Sequence, residues 1–281
     1  MADQGSLRYH GHRIEYEVHG EGDRVLVLVH GLLMNRRMYD RLAPEIAARG
    51  NRVIIVDLLG HGQSDKPPDM RIYSMNSFAN QLAALIDHLE LSTPVVGGTS
   101  LGANVALELA VHHPDHAGAL FIEMPVLEDA LLGAALMFTP ILLGLRFGKP
   151  VLVPLSEALR RVPRTNYLVD IFLDWLRRDP DASQAVLEGV LFGGAAPASE
   201  VRRGITQPAL VIGHPADPLH PFSDADMLVD EMPNARVVDA NSILEWRITP
   251  ARLNDELAGF LDDVYESRKP VETPSARAAK G

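Results

Sequence analysis

Five short, almost continuous apolar runs most constrain the fold of this chain. They read RVLVLVHG, RVIIVDLLG, TPVVGGTS, GALFIE and PALVIG, and turn-forming residues bound them. Strands covered on both faces of a parallel sheet give such continuous runs, whereas half-exposed strands alternate, as the earlier run RIEYEVHG does. Segments with helical periodicity, among them 36–49, 75–89 and 101–112, separate the runs. The alternation predicts an α/β fold with a doubly wound, mostly parallel sheet.

The alternation stops after the sixth strand, and the interruption predicts the domain organisation. Four helical patterns, EDALLGAALMF, SEALRRV, TNYLVDIFLDWLRR and DASQAVLEGVLF, lie in this gap. We therefore expect a core of residues 1–126 and 207–265, with a helical lid at 127–206. A final helix is predicted after Thr249, as the cap, and Pro250, as its first residue. The polar, Pro/Ala-rich segment 266–281 is predicted to be a disordered tail.

Composition excludes several classes of function. The 281-residue chain is 47% hydrophobic and 22% charged, which is typical of a globular protein. Its net charge of −11 argues against nucleic acid and anionic membrane surfaces as partners. The chain contains no cysteine, which excludes thiolate catalysis and disulfides. The oligomeric state is left open.

Two further patterns bear on localisation. The first residues, MADQGSLRYHGHR, lack the apolar core of a secretory signal, so the expectation is a cytoplasmic protein. The longest uncharged run, 130–145, contains Pro140 and is shorter than the roughly 20 apolar residues of a spanning helix. We expect no membrane span.

The stretch Gly98-Thr99-Ser100-Leu101-Gly102 carries the strongest chemical signal. It follows an apolar strand and opens a helix, and this context distinguishes it from an ordinary glycine-rich turn. The glycines permit a sharp turn that lifts the serine hydroxyl above the sheet, at a helix N-terminus that favours negative charge. Ser100 is therefore predicted to be a nucleophile.

Two loops should lie beside this serine. His30-Gly31-Leu32 ends one strand, and the backbone N–H of Leu32 can pair with that of Leu101 to bind an oxyanion. In acyl transfer, one such donor contributes about 3–4 kcal/mol. The second loop, DLLGHGQSD, contains Asp57 and Ser64, for which hydrogen bonds that fix the loop are the favoured role.

From Tyr9 to Asp263 these motifs make the chain resemble cofactor-independent esterases and lactonases of the α/β-hydrolase fold. The resemblance covers His30-Gly31, the Asp57 loop, the Ser100 turn, the helical insertion at 127–206 after the sixth strand, and PALVIGHPADPLHP. It implies that Asp217 is the acid that orients a catalytic histidine. A turn aspartate is the alternative for this residue.

The resemblance also places a histidine near Ser242 or Ile243, ahead of Pro250, but the chain has no histidine after His220. Loss of the base from a serine triad lowers turnover by roughly a million-fold. Either another histidine near Asp217 replaces it, or the protein is not an efficient hydrolase. His220 is the preferred substitute, with His214 as the other candidate and a loop-bracing role as the alternative for either.

Two non-hydrolytic functions remain open. The pocket can serve as a binding site for a small molecule with little turnover. It can also catalyse a lyase, isomerase or ring-closing step, with Glu123 or Glu245 as the base. The structural alternatives are that Glu123 caps a loop and that Glu245 pairs with Arg247.

The insertion indicates the class of substrate. Its apolar residues suit a pocket for an apolar ester, lactone or related carbonyl compound, although some of them will only pack within the lid. No cofactor is expected, nor a metal, because no histidine and carboxylate group has ligand spacing. The apolar residues are Leu131, Leu132, Leu136, Met137, Phe138, Ile141, Leu142, Phe172, Trp175, Leu191 and Phe192.

Overall fold

Eight strands form one sheet in the computed structural model, which describes residues 2–268. The order across the sheet is β1-β2-β4-β3-β5-β6-β7-β8. The strands are β1 (Asp3–Tyr9), β2 (His12–His19), β3 (Val25–Val29), β4 (Arg52–Asp57), β5 (Val95–Thr99), β6 (Ala119–Glu123), β7 (Ala209–Gly213) and β8 (Ala235–Asp239).

The sheet is mostly parallel, as predicted. Strands β3 to β8 pair in parallel, whereas β1 pairs antiparallel with β2, and β2 antiparallel with β4. The alternating sequence of β2 buries Ile14 and Tyr16 and leaves their neighbours more accessible. The parallel strands β3, β5, β6 and β7 are buried throughout, which accounts for their continuous apolar sequences.

Helices cover both faces and create two hydrophobic cores. In β3, Val27 and Val29 point to one core, under helices α2 (Met75–His88) and α3 (Leu101–His112). Leu26 and Leu28 point to the other core, under helices α1 (Leu42–Ala47) and α11 (Ala251–Ser267). Burying each such side chain stabilises the fold by about 1.5–3 kcal/mol. The α-helices are α1 (Leu42–Ala47), α2 (Met75–His88), α3 (Leu101–His112), α4 (Leu131–Phe147), α5 (Lys149–Arg160), α6 (Tyr167–Leu176), α7 (Pro180–Phe192), α8 (Ser199–Arg202), α9 (Phe222–Glu231), α10 (Glu245–Ile248) and α11 (Ala251–Ser267).

The long connection between β6 and β7 forms the five helices α4 to α8. α4 and α5 pack on α7, and partly buried residues of α4, among them Phe138 and Ile141, contact the core. Much of the remaining apolar surface is exposed: Leu132, Leu136 and Phe192 are 72%, 69% and 76% accessible. We call α4 to α8 the insertion.

Two predictions at the C-terminal end are wrong. Thr249 does not cap the last helix: the residue at the cap position is Pro250, no side chain caps this end, and α11 begins at Ala251. The Thr249 amide instead closes α10 by donating to the Glu245 carbonyl at 2.8 Å. The predicted tail begins too early, since α11 continues to Ser267. The rest of that segment, from residue 269, lies outside the described residues.

No single helix within residues 2–268 has the length and apolar character needed to cross a membrane. Taken together α4 and α5 reach that length, but they meet at an angle of 96°.

Candidate active site

Ser100 lies between β5 and α3 in a backbone conformation that few non-glycine residues adopt. Its φ is 55° and its ψ is −107°. The turn is tight because a Cβ on either Gly98 or Gly102 would overlap the Val29 carbonyl oxygen of the neighbouring strand. The amide of Ser100 donates to the Glu123 carbonyl at 2.8 Å, which ties the turn to β6. Ser100 remains partly exposed.

His220 and Asp217 lie beside this serine, on the loop after β7. The His220 Nε2 atom is 3.0 Å from the Ser100 Oγ, and its Nδ1 is 3.0 Å from Asp217 Oδ2. A carboxylate accepts the Nδ1–H, which leaves Nε2 to accept the serine O–H. The geometry therefore brings together the three side chains that the sequence singled out.

Asp217 is held rigidly in the same loop. Its Oδ1 accepts the amides of Leu219 at 2.8 Å and His220 at 3.1 Å. Burial alone would raise the pKa of Asp217, but the His220 imidazole and these amides lower it below its ordinary value. The carboxylate is thus ionised at neutral pH and orients the imidazole.

The loop after β3 faces the serine from the other side. A Cβ on Gly31 would lie about 4.0 Å from the Ser100 Cβ, so the two backbones approach closely. Among the described residues, the amides of Leu32 and Leu101 find no acceptor. By contrast, the Gly31 amide donates to the Met38 sulfur and the Leu33 amide to the His61 Nε2. The two amides predicted as oxyanion donors thus have no protein acceptor within residues 2–268.

His214, the other candidate base, and His30, in the loop after β3, have structural partners. His214 is buried, and its Nδ1 lies 3.1 Å from the Ser242 carbonyl. His30 is also buried: its Nε2 accepts the Leu58 amide, and burial lowers the pKa of its imidazole, which favours the neutral form. Both imidazole rings therefore hold neighbouring loops in place through hydrogen bonds.

The position near Ile243, where the resemblance expects a histidine, carries no base. Ile243 is 41% exposed, and the adjacent Ser242 uses its carbonyl to hold His214. Three residues further along, Trp246 is buried against Phe121, and its Nε1 donates to Asn254 at 2.7 Å. This segment therefore packs against the sheet and against α11.

Glu123 and Arg247 form a buried ion pair that the sequence did not predict. Burial alone would raise the pKa of Glu123, but Arg247 at 3.6 Å, His214 at 3.4 Å and the Thr99 hydroxyl lower it to about 2. The His214 pKa is raised, because contact with Glu123 outweighs the effect of burial. The pairing of Glu245 with Arg247 and the loop-capping role of Glu123 were wrong. Glu245 instead binds Arg252 at 2.8 Å.

A charged residue at the end of a buried strand needs a counter-ion, and this was the available signal for Glu123. The sequence does not indicate which arginine supplies this counter-ion, because the ion pair joins segments more than a hundred residues apart.

The Asp57 loop is fixed by hydrogen bonds, as predicted. Asp57 accepts the amides of Arg36 at 2.7 Å and Gln63 at 2.9 Å and pairs with the Arg36 guanidinium. The Ser64 hydroxyl donates to the Asp57 carbonyl and accepts the Glu15 amide. Within residues 2–268, no group of three or more histidine, aspartate or glutamate side chains is arranged to hold a metal ion.

Comparisons with known proteins agree with this architecture. A family model described as alpha/beta hydrolase fold matches residues 24–150. The chain is 33% identical over 111 residues to the AB hydrolase superfamily protein YisY of Bacillus subtilis, which covers 37% of this chain and 40% of that protein. It is 31% identical over 105 residues to a haloalkane dehalogenase of Mycolicibacterium paratuberculosis, covering 37% and 35%. The chain thus matches two fifths or less of the length of these relatives.

Solved structures match over nearly the whole chain. An enol-lactonase from Burkholderia xenovorans has a TM-score of 0.74 at 21% identity, covering 92% of this chain and 99% of that one. A bromoperoxidase from Bacillus anthracis has a TM-score of 0.76 at 19% identity, covering 93% and 100%. An esterase from Exiguobacterium antarcticum has a TM-score of 0.72 at 17% identity, covering 90% and 97%. At such identities the likeness concerns the fold.

Proposed function

We propose that this chain, which belongs to the α/β-hydrolase fold superfamily, is a serine hydrolase that cleaves an apolar carboxylic ester or lactone. One observation carries the proposal: the imidazole of His220 bridges the Ser100 hydroxyl and the Asp217 carboxylate at 3.0 Å on each side. Serine, base and orienting acid within hydrogen-bond reach are the requirement for an activated serine nucleophile.

In the proposed reaction, His220 Nε2 takes the proton from Ser100 as its Oγ attacks the carbonyl carbon. The C–O double bond opens, and the resulting oxyanion accepts hydrogen bonds from the Leu32 and Leu101 amides. Collapse of this intermediate breaks the bond to the leaving alkoxide, which receives the proton from His220. Water, deprotonated by the same imidazole, then hydrolyses the acyl-serine. A lactone gives one ring-opened hydroxy acid.

The position of the base in the chain does not prevent this chemistry. His220 follows Asp217 by three residues, and the carboxylate that orients its ring also accepts its backbone amide. A single loop therefore supplies both base and acid. A triad is defined by geometry rather than by sequence position.

The apolar residues of the insertion support an apolar substrate. Helix α4 begins above the triad loop: a Cβ on Gly133 would lie 3.2 Å from the Pro218 carbonyl. Further along, Ile141 and Trp175 line a cavity of about 240 Å³ inside the insertion. We assign the insertion the role of a lid over Ser100, with the protein acting on a small molecule.

The non-hydrolytic alternatives have less support. Glu123, a candidate base for a lyase or isomerase step, is ionised and held by Thr99 and Arg247. Glu245 is paired with Arg252. A simple binding site would not require the relay from Asp217 through His220 to Ser100.

Labelling with a serine-directed fluorophosphonate tests the proposal. The wild type should be labelled rapidly at Ser100, and both Ser100→Ala and His220→Ala should abolish rapid labelling. His116→Ala is the matched control, because His116 lies far from the serine and contacts Asp87 at 3.0 Å. Labelling of the His220→Ala protein at the wild-type rate would remove His220 from the mechanism. Wild-type labelling no faster than that of free serine would refute the hydrolase proposal.

A further inference from the structure

A cavity of about 730 Å³ lies away from Ser100, between the sheet edge, the Asp57 loop and the insertion. Asn35 and Arg36, a few residues beyond Leu32, form part of its wall. The cavity has two more cations than carboxylates in its lining, although the chain as a whole carries a net charge of −11. The cations are Arg36, Arg37, Lys66, Arg160, Arg164, Arg177 and Arg178, and the carboxylates are Glu17, Asp40, Asp57, Asp174 and Asp179.

Four of the seven cations have carboxylate partners within the protein. Arg36 binds Asp57, and Arg37 contacts Asp40 at 3.5 Å. Arg164 and Arg177 share Asp174, at 3.2 and 3.1 Å. These ion pairs give each of the four arginines a carboxylate counter-ion within the cavity wall.

The other three cations, Lys66, Arg160 and Arg178, have no carboxylate within salt-bridge distance among residues 2–268. Lys66 donates to the Gly62 and Ser64 carbonyls, and Arg160 Nε to the Arg177 carbonyl. The side chains come from three different segments: the Asp57 loop, the end of α5 and the turn before α7. Burial and the nearby Arg160 lower the pKa of Lys66, although Asp57, Asp179 and Asp65 act in the opposite direction.

Arg178 is the least compensated of the three. Its Nε donates to the Trp175 carbonyl, whereas its Nη1 is shielded from solvent and has no hydrogen-bond partner. Burial lowers its pKa to about 9. An arginine in such a position destabilises the empty protein, because its desolvation is not repaid by an ion pair. Natural proteins tolerate destabilising features of this kind at functional sites.

We propose that this cavity is a second ligand site, which binds a small molecule through a phosphate dianion held by Lys66, Arg160 and Arg178. A phosphate presents three oxygens in different directions and two negative charges, which matches three donors from three segments and the excess of two cations. Asp179, already counted among the five carboxylates, caps the first turn of α7 by accepting the amides of Asp181 and Ala182. The site does not depend on any reaction at Ser100.

Calorimetric titration with phenyl phosphate, inorganic phosphate and malonate at constant ionic strength tests the site. Phenyl phosphate and inorganic phosphate should bind saturably, and malonate, a dicarboxylate, should bind more weakly. Lys66→Met and Arg160→Met should each weaken phosphate binding by about tenfold or more, because each removes a charge-assisted hydrogen bond. Arg71→Met is the matched control: Arg71 is exposed, pairs with Asp69 and lies outside the cavity, so affinity should not change.

Arg178→Met adds a readout independent of affinity. Methionine keeps an apolar stem against Trp175, which the guanidinium covers at 5.0 Å. The variant should lose phosphate binding, yet its ligand-free thermal transition should be equal to or higher than that of wild type. Absence of saturable binding, equal weakening by Arg71→Met, or malonate affinity equal to that of phosphate would each overturn the proposal. So would a destabilised Arg178→Met protein that binds phosphate normally.

Discussion

At the scale of residues, the proposed activity depends on one imidazole between a carboxylate and a hydroxyl. The sequence led to His220 because no histidine stands near Ile243 and because His220 flanks Asp217 in the loop after the seventh strand, with His214 as the other candidate. Its distance from Ser100 was not predictable, since it depends on how the loop after β7 turns at Ala216, where φ is 57°. The roles of Ser100, His220 and Asp217 stay predictions until activity is measured.

Asp217→Asn tests the orienting role of the carboxylate. The asparagine Oδ1 can still accept the Leu219 and His220 amides, so the loop should keep its shape and the thermal transition should move little. The side-chain NH₂ group, however, would face His220 Nδ1 and favour the wrong tautomer. We expect kcat for ester hydrolysis to fall by about 10⁴-fold. A fall of less than tenfold would contradict the assignment of Asp217.

At the scale of elements, the strand-to-helix turn is the best predicted part of the site. The glycines around Ser100 indicated a sharp turn, and the neighbouring carbonyl of Val29 explains why they are required. By contrast, the buried pair of Glu123 and Arg247 joins the end of β6 to α10, and a long-range pairing of this kind leaves no local pattern.

Gly102→Ala tests the packing of the turn. The added methyl group would overlap the Val29 carbonyl, so β3 and α3 would have to separate. Gly144→Ala in α4 is the matched control, because a Cβ there meets no atom within 4 Å. In urea unfolding, Gly102→Ala should be destabilised by about 1–3 kcal/mol. Gly144→Ala should be unchanged or more stable by about 0.5–1 kcal/mol. Equal stabilities would mean that the turn is not tightly packed.

Glu123→Gln tests the buried pair through the pH dependence of stability. The folded-state pKa of Glu123, about 2, lies below its ordinary value of 4.5. Its contribution to the free energy of unfolding is therefore present above pH 4.5 and is lost as the pH falls toward 2. Glutamine leaves Arg247 without a counter-ion, which should cost about 3–5 kcal/mol at pH 7. Urea unfolding between pH 3 and 7 should show that the free energy of unfolding falls less steeply toward acid pH in the variant than in wild type. Parallel curves would contradict the shifted pKa.

The same pair predicts an effect at higher pH through His214. The pKa of His214 is raised in the folded state. The contribution of His214 to the free energy of unfolding is therefore present below pH 6.5 and is lost as the pH rises through the folded-state pKa. Because Glu123 raises this pKa, the loss of stability with rising pH should disappear in Glu123→Gln. The control is His116→Ala, which should leave the slope above pH 6.5 as in wild type.

At the scale of the whole molecule, the alternation of strands and helices was sufficient to predict the fold. Periodicity reports which faces of a segment are buried, and that is what a doubly wound sheet requires. It does not report how the helices of the insertion fold back over the sheet, because apolar stripes on α4 to α7 serve packing and ligand contact alike.

The apolar insertion predicts a preference for longer acyl chains. Each methylene buried in the complex contributes about 0.8 kcal/mol, so p-nitrophenyl butyrate should exceed p-nitrophenyl acetate in kcat/KM by roughly tenfold. The measurement is initial hydrolysis rates at substrate concentrations well below KM. Equal values for the two esters would contradict an apolar acyl site under the insertion.

The most direct test of the central claim compares kcat for Ser100→Ala, His220→Ala and the double variant on one ester. If Ser100 and His220 act as one catalytic unit, either substitution removes the whole effect, about 10⁴- to 10⁶-fold, and the double variant is no slower than the singles. Losses that multiply in the double variant, or a His220→Ala protein close to wild type, would contradict the account.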